Sequence, residues 1–140
     1  MGTNNTTTSN GVHNAHAKDN AAKIVFGDPV LCAQFLKGYT DIPLFKEIKP
    51  EDIENVSSHF LPLFQESRDS DTVNKIRIGN SEIYLIALIE HQSENDFDMS
   101  FRILRYIVFI WTDYAAQQEK LHKCITKSKA FLYPPILPIV

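Results

Sequence analysis

The chain has 140 residues, of which 44% are hydrophobic and 22% charged, with a formal net charge of −3 at pH 7. These values predict one globular domain and argue against a broadly basic surface that coats DNA, although a local basic groove is still allowed. The two cysteines lack CxxC spacing, no apolar run reaches transmembrane length, and the N-terminus lacks a signal-peptide core. We therefore expect a soluble, cytoplasmic protein with reduced thiols.

The first part of the chain divides into a polar tail and a helical region. Residues 1–18 are rich in Thr, Asn and Gly, which predicts a disordered tail, and residues 19–140 are expected to form the domain. The pattern from Asp19 to Tyr39 is helical with a break at Gly27, and Asp28-Pro29 is a typical helix start. The apolar stripe of that helix is predicted to consist of Leu31, Cys32, Phe35 and Leu36.

The next segment predicts two short elements. Ile42 to Ile48 is expected to form a short helix that ends before Pro50, because a residue before proline avoids the helical region. Ile53 to Phe60 is expected to be the first strand of the sheet, antiparallel to the start of a central hairpin.

That central hairpin is the strongest pattern in the sequence. Thr72 to Ile78 is β-prone, Gly79-Asn80 is a turn, and Ile83 to Ile89 is a continuous apolar run typical of a strand buried on both faces. A two-residue turn makes the numbers of paired residues sum to 159. Asp71 then lies opposite Leu88, with residue 90 as its diagonal neighbour, roughly 7–8 Å away at the backbone.

Side-chain alternation places three polar residues on one face at the open end of the hairpin. Asp71, Glu90 and Gln92 are predicted to converge there, while the side chain of His91 points the other way. Two carboxylates at one point form a hard-cation site suited to Mg²⁺. The alternative is that each carboxylate caps a turn at the end of a strand.

A long helix is predicted from Met99 to Glu119. Arg102 and Arg105 lie three residues apart on one side of it and could pair with Glu90, contact a DNA phosphate, or form structural ion pairs. Its apolar residues recur at three- and four-residue spacing and predict a helix that is largely buried. They are Met99, Phe101, Ile103, Leu104, Ile107, Val108, Ile110, Trp111 and Tyr114.

The C-terminal segment combines a basic cluster with a final strand. Residues 120–129 carry four basic residues, of which Lys120 and Lys123 are candidate phosphate contacts, or they complement the dipole at a helix end. Tyr133-Pro134-Pro135 predicts a loop, and Ile136 to Val140 predicts the beginning of another buried strand.

The motifs resemble those of a known nuclease family. Asp71 followed after a hairpin by Glu90-x-Gln92 resembles the active-site pattern of PD-(D/E)XK nucleases. Four blocks in order are similar to the recombination-promoting nuclease / putative transposase family, a branch of that superfamily. The blocks read SDTVNKI, LIALIEHQS, FRILRYIVFIWTDY and PPILPIV.

The resemblance implies a fold, an activity and a metal site. The expected fold is α/β (α+β), a restriction-endonuclease-like core with a central mixed β-sheet hairpin flanked by helices. The expected activity is metal-dependent hydrolysis of DNA phosphodiester bonds. Asp71, Glu90 and the backbone carbonyl of His91 would hold Mg²⁺ or Mn²⁺, while Gln92 replaces the usual lysine and Asp19 is an auxiliary acid or a helix N-cap.

Family members continue beyond the last strand, so the resemblance also predicts a domain that is incomplete at its C-terminus. The alternative function is therefore a catalytically inactive remnant that acts as a DNA- or protein-interaction module. A third interpretation is an unrelated helix–sheet binding domain. DNA is the expected partner, and a homo-oligomer is allowed.

Overall fold

The computed structural model describes residues 21, 23–60, 71–88 and 98–140. Its helices and strands follow the order α1, β1, α2, β2, β3, α3, β4. Their bounds are Pro29–Tyr39 for α1, Ile53–Asn55 for β1, Ser57–Phe60 for α2, Thr72–Ile78 for β2, Ser81–Ala87 for β3, Met99–Leu121 for α3 and Ile136–Ile139 for β4.

The strands form a four-stranded mixed sheet in the order β1-β2-β3-β4. The pairs β1–β2 and β2–β3 are antiparallel, whereas β3–β4 is parallel because the chain crosses over through α3 before it returns to the sheet. Helices flank this sheet on both sides. The predicted α/β (α+β) class is confirmed, and the arrangement is consistent with a restriction-endonuclease-like core.

The hairpin has the register predicted from parity. Ile78 pairs with Ser81 and Thr72 with Ala87, so every pair sums to 159. Gly79 has a φ of +60°, which a two-residue turn requires and which a residue with a Cβ adopts only at a cost. Gly79-Asn80 therefore sets the pairing of the whole hairpin.

Two glycine substitutions should change stability in opposite directions. Gly79→Ala places a residue with a Cβ where the backbone is left-handed, so it should lower the free energy of unfolding by about 1 kcal/mol. Gly38→Ala, within α1, should raise it by about 0.5 kcal/mol through lower unfolded-chain entropy. An added Cβ meets nothing within 4 Å at either position, so urea unfolding would compare backbone effects alone. Equal effects of the two changes would contradict this account of the turn.

Each face of the sheet carries its own hydrophobic core. On one face, Ile76, Leu85 and their neighbours pack with Cys32 and Leu36 of α1. On the other face, Val73 and Ile86 belong to a cluster that includes Tyr106 and Ile110 of α3. Burial on both faces explains the continuous apolar run of β3, as predicted.

Helix α1 begins where its sequence predicts. The Asp28 carboxylate accepts hydrogen bonds from the backbone N–H of Val30 at 2.8 Å and of Leu31 at 3.2 Å, and Pro29 opens the first turn. The helix buries Cys32, Ala33 and Leu36, whereas Leu31 is on the exposed side of the predicted stripe. Burial raises the pKa of the Cys32 thiol to about 11, so this cysteine is inert at neutral pH.

The segment between α1 and β2 differs from its prediction. The predicted helix from Ile42 to Ile48 is only a 3-10 turn at Pro43–Phe45. The predicted strand from Ile53 to Phe60 ends at Asn55, whose side-chain oxygen accepts a hydrogen bond from Ser57 N at 2.9 Å and turns the chain into α2. The antiparallel pairing with β2 is nevertheless as predicted, with Ile53 opposite Ile76.

Helix α3 was predicted to be largely buried, and this is wrong. Its buried residues are Met99, Arg102, Tyr106 and Ile110. The residues expected to widen that buried face lie on the opposite side and are exposed: Phe101, Leu104 and Val108. Helix α3 therefore has a buried stripe that faces the sheet and a separate, exposed apolar stripe on its opposite side.

The C-terminal strand was predicted to be buried, but β4 is an edge strand with half-exposed side chains and an exposed Pro138. Proline suits an edge because it has no backbone N–H to donate. No helix in the described part of the chain is long and apolar enough to cross a membrane.

Candidate functional site

Asp71 immediately precedes β2 at the open end of the hairpin. The last pair of the β2–β3 ladder is Thr72 with Ala87, so the register places Asp71 opposite Leu88. Its side chain lies on the face of the sheet that α3 covers and is only 1% exposed. The predicted position of this carboxylate within the hairpin is therefore confirmed.

Two side chains of α3 contact the Asp71 carboxylate. The Tyr106 hydroxyl donates a hydrogen bond to Oδ2 at 2.9 Å. Arg102 forms an ion pair with the same carboxylate, with Nε 3.3 Å from Oδ2 and a longer hydrogen bond of 3.5 Å from Nη2 to Oδ1. These three residues form a buried cluster, which we call the Asp71 cluster.

Burial makes the charges of the Asp71 cluster depend on one another. A carboxylate removed from water needs a positive or hydrogen-bonding partner, and a buried guanidinium likewise needs an anion. Burial, followed by the neighbouring negative charge of Asp71 and the hydrogen bond to it, raises the pKa of Tyr106 well above its ordinary value. Tyr106 therefore remains a hydrogen-bond donor at any physiological pH.

Tyr106 was not predicted to be a site residue. Its spacing of four residues from Arg102 is the available signal, because residues four apart lie on the same face of a helix. A tyrosine within an apolar helix is easily taken for part of the hydrophobic core. Here its ring belongs to the core cluster while its hydroxyl reaches the carboxylate.

Several predicted site residues lie outside the described residues: Asp19, Glu90, His91 and Gln92. The roles assigned to them therefore stay predictions. Within residues 21, 23–60, 71–88 and 98–140, no group of three or more His, Cys, Asp or Glu could hold a metal ion.

The predicted phosphate contacts are found in different environments. Arg105 donates a hydrogen bond to Asp98 at 2.9 Å and lies over the Phe101 ring, 5.0 Å from its centroid. Lys120 and Lys123 are exposed near the C-terminal end of α3. The structural ion-pair interpretation of the two arginines is thus observed for both, while contact with phosphate stays a prediction.

The carboxylate of Glu119 holds the segment that directly follows α3. Glu119 accepts hydrogen bonds from the backbone N–H of Cys124 at 2.7 Å and of Thr126 at 3.0 Å, and from the Thr126 hydroxyl. These bonds lower the pKa of Glu119 below its ordinary value of 4.5. They also explain how Cys124 is accommodated with a φ of 66°. Lys123 therefore lies in a segment with a defined conformation directly after α3, whereas Lys120 lies in the last turn of the helix.

A separate cleft of about 710 Å³ lies at the turn end of the hairpin. Asn80, Ser81 and Glu82 line it from the hairpin, and Tyr114 and Tyr133 line it from the other side. Because Asp71 is at the opposite end of β2, this cleft is distinct from the Asp71 cluster.

The fold and the Asp71 cluster define an α/β protein with a four-stranded mixed sheet, consistent with a restriction-endonuclease-like core, and a buried acid at the open end of its central hairpin. A family model described as "Putative transposase, YhgA-like" matches residues 16–140, so the chain belongs to that family. The predicted resemblance to the putative transposase family is confirmed, while its placement among the PD-(D/E)XK nucleases stays a prediction. No curated protein and no solved structure gives a significant match.

Proposed function

We propose that this protein is a Mg²⁺-dependent DNA endonuclease of the transposase-like type, with Asp71, Glu90 and Gln92 at its active site. The observation that carries the proposal is the buried Asp71 carboxylate in the confirmed hairpin register. If β3 continued in the same register, alternation would bring residue 90 to the same face as Asp71, as its diagonal neighbour two residue pairs further along. Two acids at the end of a paired hairpin match the PD-(D/E)XK pattern.

The chemistry of the proposed ligands suits a hard cation. Asp71 would hold Mg²⁺ or Mn²⁺ together with Glu90 and the backbone carbonyl of His91, since carboxylate and carbonyl oxygens are the preferred ligands. When bound, the cation would polarise the scissile phosphate and lower the pKa of a coordinated water.

The residues around Asp71 have positioning roles in this proposal. The Tyr106 hydroxyl fixes the orientation of the carboxylate through Oδ2. Arg102 balances its charge, and its guanidinium is the group that would contact a substrate phosphate. Gln92 would orient a water molecule through hydrogen bonds, since an amide can neither accept a proton as a base nor carry charge.

One observation favours a second candidate function, a non-catalytic DNA- or protein-interaction module. Arg102 already neutralises Asp71, and a buried ion pair can be purely structural. In that case Asp71 would anchor α3 to the sheet, and the protein would not cleave DNA in the presence of metal ions.

Nicking of supercoiled plasmid by purified protein tests the proposal. With Mg²⁺ we expect conversion to open circles that EDTA abolishes. Asp71→Asn and Glu90→Gln should each reduce the rate about 100-fold or more, because a lost ligand should cost at least as much as a lost outer-shell partner. Asp113→Asn, which alters a half-buried carboxylate elsewhere on α3, is the matched control and should keep the wild-type rate. Absence of nicking by folded wild-type protein would favour the interaction module.

A further inference from the structure

Helix α3 carries a second apolar stripe that faces away from the sheet. Phe101, Leu104 and Val108 are 57%, 52% and 53% exposed, and Trp111 is 37% exposed. At 100° per residue this stripe lies opposite the buried one formed by Met99, Arg102, Tyr106 and Ile110. A surface helix normally presents polar residues on that side, so the exposed stripe calls for a covering partner.

The spacing of the outer stripe is that of a helix–helix seam. Its members follow one another at intervals of three, four and three residues, which is the a/d pattern of a coiled coil. None of these four positions carries a charge, so the stripe selects neither an acidic nor a basic partner. The ion pair between Arg105 and Asp98 lies beside it, as polar groups do at the rim of an interface.

The patch extends from α3 onto the following loop. The Trp111 ring lies 5.3 Å from the ring of Tyr133, and Trp111 Nε1 donates a hydrogen bond to the carbonyl of Pro134. Tyr133 is itself 49% exposed. Together with the helical stripe it presents roughly 500 Å² of exposed apolar side chain, since large side chains bury about 150–250 Å² each when covered.

We propose that two copies of this chain dimerise through the outer stripe of α3, namely Phe101, Leu104, Val108 and Trp111. A two-fold dimer uses the same patch on both copies, and a heptad seam is self-complementary in that way. Two such patches would bury roughly 1,000 Å², which is the lower limit for a specific interface. The proposal does not depend on the nuclease activity.

The mass of the full chain in solution tests the dimer. Sedimentation equilibrium over an about hundredfold concentration range should give the wild type twice the single-chain mass of 16.0 kDa at the upper end. Leu104→Glu and Val108→Glu place charges in the seam and should each give the single-chain mass. Ile24→Glu makes the same change at a 60% exposed position outside the stripe, so it should leave the dimer intact.

Each possible result decides the question. A wild-type mass of one chain at every concentration would overturn the proposal and leave the stripe to a different partner. A dimer that persists in Leu104→Glu and Val108→Glu would place the interface elsewhere. Circular dichroism should show native helix in both variants, because the substituted side chains are about half exposed.

Discussion

Arg102→Met should lower the free energy of unfolding by roughly 3 kcal/mol. The substitution keeps much of the apolar stem but removes a buried positive partner of Asp71, whose carboxylate is 1% exposed. Breaking a buried ion pair from one side typically costs about 3–5 kcal/mol, because it leaves an uncompensated buried charge. Urea unfolding monitored by circular dichroism would measure the change.

Arg105→Met is the matched control for this prediction. Arg105 lies one turn further along the same helix and pairs with Asp98, whose side chain is 56% exposed. A solvent-exposed pair contributes less than about 1 kcal/mol. Equal destabilisation by the two substitutions would contradict the description of the Asp71 cluster as a buried ion pair.

Tyr106→Phe should have the second largest effect, on both stability and metal binding. It removes only the hydroxyl that donates to Asp71 Oδ2, from a side chain that is 1% exposed. Loss of a buried donor costs about 1–3 kcal/mol in the free energy of unfolding. If Asp71 is a metal ligand, loss of its orienting partner should also weaken Mn²⁺ binding about 10–100-fold.

Tyr133→Phe serves as the control, because Tyr133 is half exposed and lies outside the Asp71 cluster. We expect it to leave both the free energy of unfolding and the affinity for Mn²⁺ unchanged. If Tyr106→Phe lowered the stability while the affinity for Mn²⁺ stayed at the wild-type value, Tyr106 would be structural only.

Local chemistry predicted much of the fold. The Gly79-Asn80 turn and the parity of side chains gave the correct hairpin register, since a two-residue turn leaves one pairing only. Asp28-Pro29 gave the start of α1 for a similar reason, because the cap bonds are made within a few residues.

The orientation of α3 could not be predicted from periodicity. The exposed stripe is entirely apolar, whereas the stripe that faces the sheet contains Arg102 among apolar and aromatic residues. The tertiary contact with Asp71 helps to make burial of that arginine favourable, and such a contact is not visible in a local pattern. The exposed face of Leu104 and Val108 was misassigned for the same reason.

The candidate site was predictable in part. The hairpin register located Asp71, but its partners come from a helix about thirty residues later in the chain. Tyr106 was missed because its ring fits the core pattern while its hydroxyl performs the polar role. The pairing of Arg102 with Asp71 was missed because sequence spacing does not show which acid a buried arginine will reach.

Binding of Mn²⁺ to the full chain tests the central claim most directly, with free Mn²⁺ followed by electron paramagnetic resonance. We expect saturable binding by the wild type that Asp71→Asn weakens at least about tenfold, while Asp113→Asn binds like the wild type. Asparagine retains the shape of Asp71 and can still accept a hydrogen bond from Tyr106. Equal affinity of the wild type and Asp71→Asn, both folded, would contradict a metal site at Asp71 and leave the Asp71 cluster as a structural ion pair.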